Sequence, residues 1–359
     1  MNWGELITLE YGKPVKDKDS TDGKVPVYGT NGQIGTSHLP AQCKHPSFIL
    51  GRKGAYRGVH YSDCPFSVID TAFYAEPLTD RIDLKWAYYK FLTYDINGMD
   101  SGSAIPSTDR YQIYSIEVEV PPLEKQRKIV AVLDCIDRKI NINQKVNDNL
   151  LRQAQALYKN RFIDLKPFNG EMPPDWQLGT VSEIIELHDS KRIPLSSRER
   201  ANLTKIYPYY GATSVMDYVD RYLFDGIYLL LGEDGTVVDD KGFPILQYVE
   251  GKFWVNNHAH IITGKNGFTV ETLYLLFSLT NVQSIVTGAV QPKISQANLN
   301  NVSVVIPSKA ELSTFNSIVQ PIFSQIRNLR AESDRLTATR DILLPRLMSG
   351  EIDATNIQL

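Results

Sequence analysis

A repeated segment constrains the fold of this chain more than any other feature of its sequence. The segment SGSAIP at residues 101–106 matches TGAVQP at 287–292, and SIEVEVP at 115–121 matches NVSVVIP at 301–307. Pro106 and Pro292 lie 186 positions apart, as do Pro121 and Pro307. Because the register holds without a gap across both segments, the sequence predicts two copies of one domain.

Earlier matches between the two copies have slightly different offsets, as expected where loops have changed length. Tyr28-Gly29 matches Tyr210-Gly211, and ILGRKG at 49–54 matches LLGEDG at 230–235. Scaffold positions agree while the loop residues between them differ. This pattern predicts one scaffold that is used twice to recognise two different targets.

Each copy is followed by a long amphipathic helix. Apolar or small residues recur at steps of four and three from Ile129 to Leu157, a span of 29 residues that corresponds to roughly 43 Å of helix. The same seam appears in the second copy when 186 is added to each number. The predicted seam residues are Ile129, Leu133, Ile136, Ile140, Asn143, Asn147, Leu150, Ala154 and Leu157, and then Phe315, Val319, Ile322, Ile326, Leu329, Ser333, Leu336, Arg340 and Leu343.

Helices of this length need a partner beyond their own small domain. We expect the two helices to pack on each other as an antiparallel coiled coil, related by a pseudo-twofold axis, with the polar seam residues fixing the register. The alternative is two unrelated amphipathic helices on separate cores. Pro321 lacks a backbone donor and is expected to kink the second helix or to move its start.

Between the helices, short apolar stretches alternate with turns that contain glycine and proline. This pattern predicts an α/β or α+β fold class, in which each recognition domain has a curved, mainly antiparallel sheet. We expect target-recognition domains at 1–122 and 166–308, and long helices at 123–165 and 309–359.

Composition limits the cellular context and the role of the chain. The formal net charge of −3 disfavours a protein that grips nucleic acid without a more basic partner. The sequence lacks a secretion signal and an apolar membrane span, and its three cysteines are interpreted as buried thiols, so we expect a cytoplasmic protein.

Motifs for catalysis are missing from the sequence. It contains no phosphate-binding loop for a nucleoside triphosphate and no adenine-methyltransferase motif. We therefore expect a non-catalytic chain that holds no cofactor and no metal. His258 and His260 would share one face of a strand, which leaves a metal-dependent nuclease as an alternative, although a structural hydrogen-bonding role is favoured.

Two loops in each copy are candidates for DNA contact. A glycine-flanked loop in the first copy carries cations and a tyrosine suited to phosphates and guanines, whereas its counterpart carries carboxylates that suit cytosine amino groups or a scaffold role. The loops that precede the long helices offer small polar groups and glutamines suited to adenine, although turn formation and helix capping explain them equally well. The candidates are Arg52, Lys53, Tyr56, Arg57, Ser101, Ser103, Ser107, Thr108 and Arg110, with Glu233, Asp234, Gln291, Lys293, Ser295 and Gln296 in the second copy.

The order of these elements resembles the specificity subunits of type I restriction-modification systems. The resemblance covers essentially the whole chain and rests on PPLEKQRKI at 121–129, Pro-x-x-Trp at 173–176 and LLPRLMSGEI at 343–352. The second copy departs from the pattern, with PSKAEL at 307–312 where the first has PPLEKQ. Docking of partner subunits at the two copies is therefore expected to be unequal.

The resemblance implies that each domain reads one half of a bipartite, asymmetric site in double-stranded DNA, while the helices fix the spacer. Two methyltransferase subunits would supply S-adenosylmethionine and methylate adenine N6, and restriction subunits would supply ATP- and Mg-dependent translocation and cleavage. An orphan DNA-binding specificity protein, one from a different defence system, and a coiled-coil scaffold with protein-binding heads remain alternatives.

Overall fold

Each repeat consists of mainly antiparallel strands followed by a long helix in the computed structural model, which describes residues 1–99, 106–288 and 290–357. The chain forms two units, Met1–Ile142 with Glu332–Leu359, and Asn143–Ala331. The predicted mixed α/β class, with two repeats and two long helices, is confirmed.

The described residues of the first repeat form two sheets. Their orders are β1-β7-β4-β5 and β3-β2-β6, and the pairing of β2 with β6 is parallel. The strands are β1 (Ile7–Tyr11), β2 (Val25–Gly29), β3 (Gly32–Ser37), β4 (Ser47–Gly51), β5 (Val59–Ser62), β6 (Ser67–Val68) and β7 (Ala72–Pro77).

The second repeat has the same topology, with two longer strands, β12 and β13, in a sheet of order β11-β10-β13-β12-β14-β9 and a β15-β8 pair. One long strand, β13, pairs antiparallel with β12 and then parallel with β10. In the first repeat these two pairings are made by separate strands, β5 with β4 and β6 with β2. The strands are β8 (Gln177–Thr180), β9 (Ile185–Leu187), β10 (Tyr207–Tyr210), β11 (Val215–Val219), β12 (Phe224–Gly232), β13 (Leu246–Val255), β14 (Ala259–Gly264) and β15 (Ser303–Ile306).

Helices cover the sheets and connect the repeats. The α-helices are α1 (Leu84–Phe91), α2 (Arg110–Ser115), α3 (Leu123–Tyr158), α4 (Val181–Ile184), α5 (Ser197–Ala201), α6 (Val270–Ser278), α7 (Gln296–Asn300) and α8 (Lys309–Met348). A π-helical turn, Lys159–Ile163, follows α3, and short 3-10 helices lie at Trp3–Glu5, Lys166–Phe168, Asp189–Lys191, Gln283–Ile285 and Ala354–Asn356. The second long helix begins at Lys309 and continues through Pro321.

The two long helices run antiparallel where they meet within each unit. In the first unit, Asp137 pairs with Arg340 at 3.0 Å, and Lys139 pairs with Glu332 at 3.2 Å. In the second unit the ring of Tyr158 packs on that of Phe315 with centroids 5.7 Å apart. Each helix therefore completes a core with the other, and the prediction of an antiparallel helix pair is confirmed.

The predicted seam follows the buried side of both helices along most of its length. Leu157 is an exception, because 41% of its surface is exposed while its neighbour Tyr158 is buried. The seam therefore passes through Tyr158 at this end of α3. Of the other predicted positions, Ile129, Leu133, Asn143, Ala154, Phe315, Val319, Ile326 and Leu329 are buried, and Ile136, Ile140, Asn147, Leu150, Ile322, Ser333, Leu336, Arg340 and Leu343 are partly buried.

The cysteines do not all match their interpretation as buried thiols. Cys43 lies in a small apolar cluster of the first repeat, whereas Cys64 and Cys135 are exposed. Burial raises the pKa of the Cys43 thiol to about 11, which favours the neutral form. In the part of the chain that the structure describes, no helix combines the length and apolar character needed to cross a membrane.

Candidate nucleic-acid interface

The two candidate loops of the first repeat are joined to each other. The backbone N–H of Gly54 donates to the carbonyl oxygen of Pro106 at 3.0 Å, and the N–H of Thr108 donates to that of Arg52 at 2.9 Å. Lys53 and Ser107 form an antiparallel bridge between these bonds. We call residues 51–58 together with 106–110 the first loop junction; Ser101 and Ser103 lie outside the described residues.

The same backbone contacts recur in the second repeat. The N–H of Gly235 donates to the carbonyl oxygen of Pro292 at 3.0 Å, and the N–H of Ile294 donates to that of Glu233 at 2.9 Å. Asp234 and Lys293 form the equivalent bridge. We call residues 232–235 together with 291–296 the second loop junction. The two repeats thus present different side chains on one backbone arrangement.

Two arginines share one aromatic ring at the first loop junction. The guanidinium carbons of Arg52 and Arg110 each lie 4.8 Å from the centroid of the Tyr11 ring. Arg52 also donates from Nη1 to the carbonyl oxygen of Asp70 at 3.0 Å. Tyr11 ends β1 and is 42% exposed. Cation–π contact therefore holds two positive charges together at the surface, in the chemistry that phosphates and guanine edges require.

Exposed aromatic residues lie on the same two segments as these arginines. Tyr56 is 64% exposed at the tip of the loop, and Tyr111 is 65% exposed in the first turn of α2. Lys53 and Ser107 are partly buried at the bridge. The hydroxyl groups and rings of the tyrosines add hydrogen-bonding and stacking surface beside the cations.

Arg57 occupies a different place from the other cations of its loop. Its residue surface is only 2% exposed, and its guanidinium donates to the carbonyl oxygens of Gly54, Ile96 and Asn97. Arg57 therefore supports the loop from inside the domain instead of presenting its charge to a phosphate. Thr108 is likewise buried, at 4% exposure, and joins the loops through its backbone.

The carboxylate of Glu233 at the second loop junction is paired with cations. Arg192 Nη1 donates to Glu233 Oε2 at 2.5 Å, and Lys293 Nζ lies 3.4 Å from Glu233 Oε1. Glu233 is therefore neutralised within the repeat, in agreement with the scaffold alternative for this residue. Asp234 pairs more loosely with His258, whose Nδ1 lies 3.5 Å from Asp234 Oδ2.

A buried cluster lies directly beneath this junction. His260 is fully buried, and its Nδ1 lies 2.6 Å from Asp189 Oδ2 while its Nε2 lies 2.8 Å from the carbonyl oxygen of Ile294. Gln296 Nε2 donates to the same Asp189 oxygen at 2.6 Å. Burial acts to raise the pKa of Asp189, but hydrogen bonds from His260, the Ile261 N–H and Gln296 outweigh it and lower the pKa below its ordinary value.

The donor atoms of Asp189, Glu233 and His260 lie close enough to surround a metal ion, as do those of Cys43, His45 and Glu76. In the former group both ring nitrogens of His260 already face acceptor oxygens. This geometry supports the hydrogen-bonding role that the sequence favoured for His260.

The remaining candidates lie on the outer side of the second loop junction. Gln291, Lys293 and Gln296 are exposed. The Ser295 side chain accepts a hydrogen bond from the backbone N–H of Asn298 and caps α7. Lys293 and the two glutamines therefore supply the accessible donors and acceptors of this junction.

Family comparison accounts for the doubled junction. The type I restriction modification DNA specificity domain matches residues 2–152 and 173–338, which are the two repeats with most of their helices. The chain belongs to this family. The function of a type I specificity subunit, with two target-recognition domains, follows from that membership.

Relatives of this specificity subunit differ in how much they share with it. The MjaIX specificity subunit of Methanocaldococcus jannaschii is 25% identical over 303 residues, covering 76% of this chain and 70% of the relative. A putative specificity subunit of Haemophilus influenzae, S.HindORF215P, is 31% identical over 127 residues, covering 35% of this chain and 32% of the relative. The crystal structure of the M. genitalium S subunit shares the fold, with a TM-score of 0.62, 18% identity and coverage of 97% and 95%.

The sequence analysis did not predict three residues that support the loop junctions of this specificity subunit. Tyr11, Asp189 and Arg192 lie far along the chain from the loops that they support. Tyr11 ends the strand that pairs with β7, and Asp189 follows the equivalent strand β9. The strand pairing would have been needed to find them, because the repeat register at these positions differs from 186.

Proposed function

We propose that each loop junction of this specificity subunit reads one half of a bipartite, asymmetric DNA site. The observation that supports the proposal is the recurrence of one set of backbone contacts with different side chains. Arg52 and Arg110 make the first junction cationic, whereas the second junction carries the paired carboxylate of Glu233 and the amide of Gln296. Different donors and acceptors on equivalent scaffolds select different bases.

The chemistry that follows recognition is proposed to belong to partner subunits. Two methyltransferase subunits would bind S-adenosylmethionine, flip the target adenine and methylate its N6 atom. Restriction subunits would use ATP and Mg to translocate and cleave DNA. The specificity subunit itself would hold no cofactor and carry out no catalytic step.

Helix α3 offers a surface for a methyltransferase subunit. Along the first-unit part of this helix, Ala131, Cys135, Arg138 and Ile142 are exposed on one side, and Ile142 is 55% exposed. Ile129, Leu133 and Ile136 lie on the buried or partly buried side. Apart from Arg138, the exposed side chains of this stripe are small or apolar, and such a stripe opposite a buried seam is typical of a helix that packs on two neighbours.

Partner subunits would also supply positive charge. The chain has a formal net charge of −3, whereas non-specific DNA affinity comes largely from cations that displace counterions at phosphates. We infer that the junctions contribute base selection and that the assembled complex contributes most of the phosphate contacts.

A selection from a randomised duplex library tests this division of roles. The purified chain with its methyltransferase partner is expected to enrich a bipartite motif, whereas the methyltransferase alone is expected to enrich none. The specificity subunit alone is expected to bind weakly and to leave DNA intact. Sequence-specific cleavage by the specificity subunit alone would contradict the proposal and favour a nuclease.

A further inference from the structure

Strand pairing identifies equivalent residues beneath the two junctions. Leu50 of β4 lies opposite Phe73 of β7, and Leu231 of β12 lies opposite His260 of β14. Phe73 and His260 therefore occupy one position of the fold. Tyr11 lies opposite Phe73 on β1, while Asp189 follows β9 and bonds to His260 at 2.6 Å. Tyr11 and Asp189 are equivalent in the same way.

The loops add two more equivalent positions. The backbone carbonyl oxygens of Arg52 and Glu233 each accept the hydrogen bond that joins their loops. Arg110 and Gln296 lie 186 positions apart, and each is the first residue of a short helix. We define the first quartet as Tyr11, Arg52, Phe73 and Arg110, and the second quartet as Asp189, Glu233, His260 and Gln296. Arg110 contacts Tyr11 in the first quartet, and Gln296 contacts Asp189 in the second.

In the first quartet, Arg110 has donor capacity to spare. Its guanidinium lies over Tyr11, but its hydrogen bonds to the Leu9 carbonyl oxygen and the Tyr111 hydroxyl are long, at 3.4 and 3.3 Å. Its Nε is buried and has no hydrogen-bond partner among the described residues, so a base would be contacted by the two Nη groups. A guanidinium that is held by stacking and incompletely hydrogen-bonded suits the two acceptors O6 and N7 of guanine.

In the second quartet, Gln296 is exposed but fixed in orientation. Its Nε2 donates to Asp189, which is itself held by His260 and by the Ile261 N–H at 2.8 Å. The anchored amide keeps one N–H donor and its carbonyl acceptor. This donor–acceptor pair suits the N7 and N6 atoms of adenine.

We propose that the quartets are specificity-determining sites, and that Arg110 selects a guanine in one half-site while Gln296 selects an adenine in the other. The proposal rests on the proposed function, because it names the bases that the two junctions read. Tyr11 and Asp189 act as positioning residues, since each fixes the side chain that faces the base.

Methylation mapping of variants in complex with the methyltransferase partner tests the quartets. Arg110→Gln is expected to reduce the preference for guanine at one position of the first half-site by about ten- to a hundred-fold, while the second half-site stays unchanged. Gln296→Ala is expected to weaken the preference for adenine at one position of the second half-site and to leave the first half-site unchanged. Arg81→Gln, at an exposed arginine beyond the far end of β7, is the matched control and is expected to leave the motif intact.

Arg110→Lys distinguishes base reading from phosphate binding and from damage to the fold. Lysine keeps the charge but lacks the planar fork, so the guanine preference is expected to weaken while the complex still assembles. An unchanged motif, or a uniform loss of methylation with the motif preserved, would overturn the assignment of Arg110. A wild-type complex without any bipartite motif would instead defeat the proposed function.

Discussion

Individual side chains make the first loop junction cationic and place a neutralised carboxylate at the second, although the backbone contacts of the two junctions are the same. Arg52 and Arg110 stack on Tyr11, whereas Glu233 at the equivalent of Arg52 is paired with Arg192 and Lys293. Because Glu233 is neutralised locally, a carboxylate at this position is compatible with a nearby phosphate backbone. Exchange of a few side chains therefore changes the chemistry of a junction without changing its support.

Asp189 carries a pH-dependent contribution to the stability of the second repeat. Its pKa is lowered in the folded state from the ordinary value of 3.8, so the ionised form is the one that stabilises the fold. The contribution is fully present above pH 3.8 and is lost as the pH falls through the lower, folded-state pKa.

Asp189→Asn is expected to destabilise the second repeat by about 1–3 kcal/mol at neutral pH, because His260 and Gln296 lose a charged acceptor. Thermal unfolding from pH 7 downwards measures the effect, and the difference from the wild type is expected to shrink below pH 3.8. Asp225→Asn, at an exposed aspartate of β12, is the matched control. A difference that stays constant across this range would contradict the assignment.

Residue identity alone was a poor guide to exposure within the loops. The loop sequence predicted DNA contact for both Arg52 and Arg57. Arg57, however, is buried against the carbonyl oxygens of Ile96 and Asn97, which follow α1. Nothing in the local sequence distinguishes the two arginines, because the difference comes from a segment about 40 residues away. Long-range packing decides which cation faces solvent.

The long helices are the elements that the sequence predicted best. Their apolar spacing is a local property, so the seam from Ile129 could be predicted without knowing any tertiary contact. The prediction failed at Leu157, where the buried positions Ala154, Tyr158 and Phe162 follow one another at steps of four. A straight α-helix drifts away from a strict seven-residue repeat, and the π-helical turn after α3 shifts the pattern further.

The aromatic end of the helix pair is expected to dominate the stability of the second unit. Phe315 is 1% exposed and packs on Tyr158 and Phe162. Phe315→Ala is expected to lower the free energy of unfolding by about 3–5 kcal/mol, because it leaves a cavity among these rings. Chemical denaturation followed by aromatic fluorescence measures this loss.

Ile318→Ala is the matched control for that substitution, since Ile318 lies one turn along α8 and is 44% exposed. Its effect is expected to stay within about 0.5 kcal/mol. Equal losses for Phe315→Ala and Ile318→Ala would show that the helix pair is not packed through this seam.

For the molecule as a whole, the duplicated domain is the feature on which the sequence and the family comparison agree. The sequence disclosed the duplication because matched prolines keep a constant offset, and the family comparison covers the same two segments. It did not disclose that the loops at Gly54 and Pro106 meet, or that Gly235 and Pro292 meet in the same way. These contacts join segments more than 50 residues apart in the chain, so they cannot be predicted from local sequence patterns.

The central claim is that one chain reads two different half-sites, and mapping of N6-methyladenine by long-read sequencing tests it most directly. The chain would be co-expressed with its neighbouring methyltransferase subunit in a host that lacks adenine methylation. The account predicts a single motif with two unlike halves separated by an unread spacer. Methylation at one continuous motif, or none despite a stable complex, would contradict it.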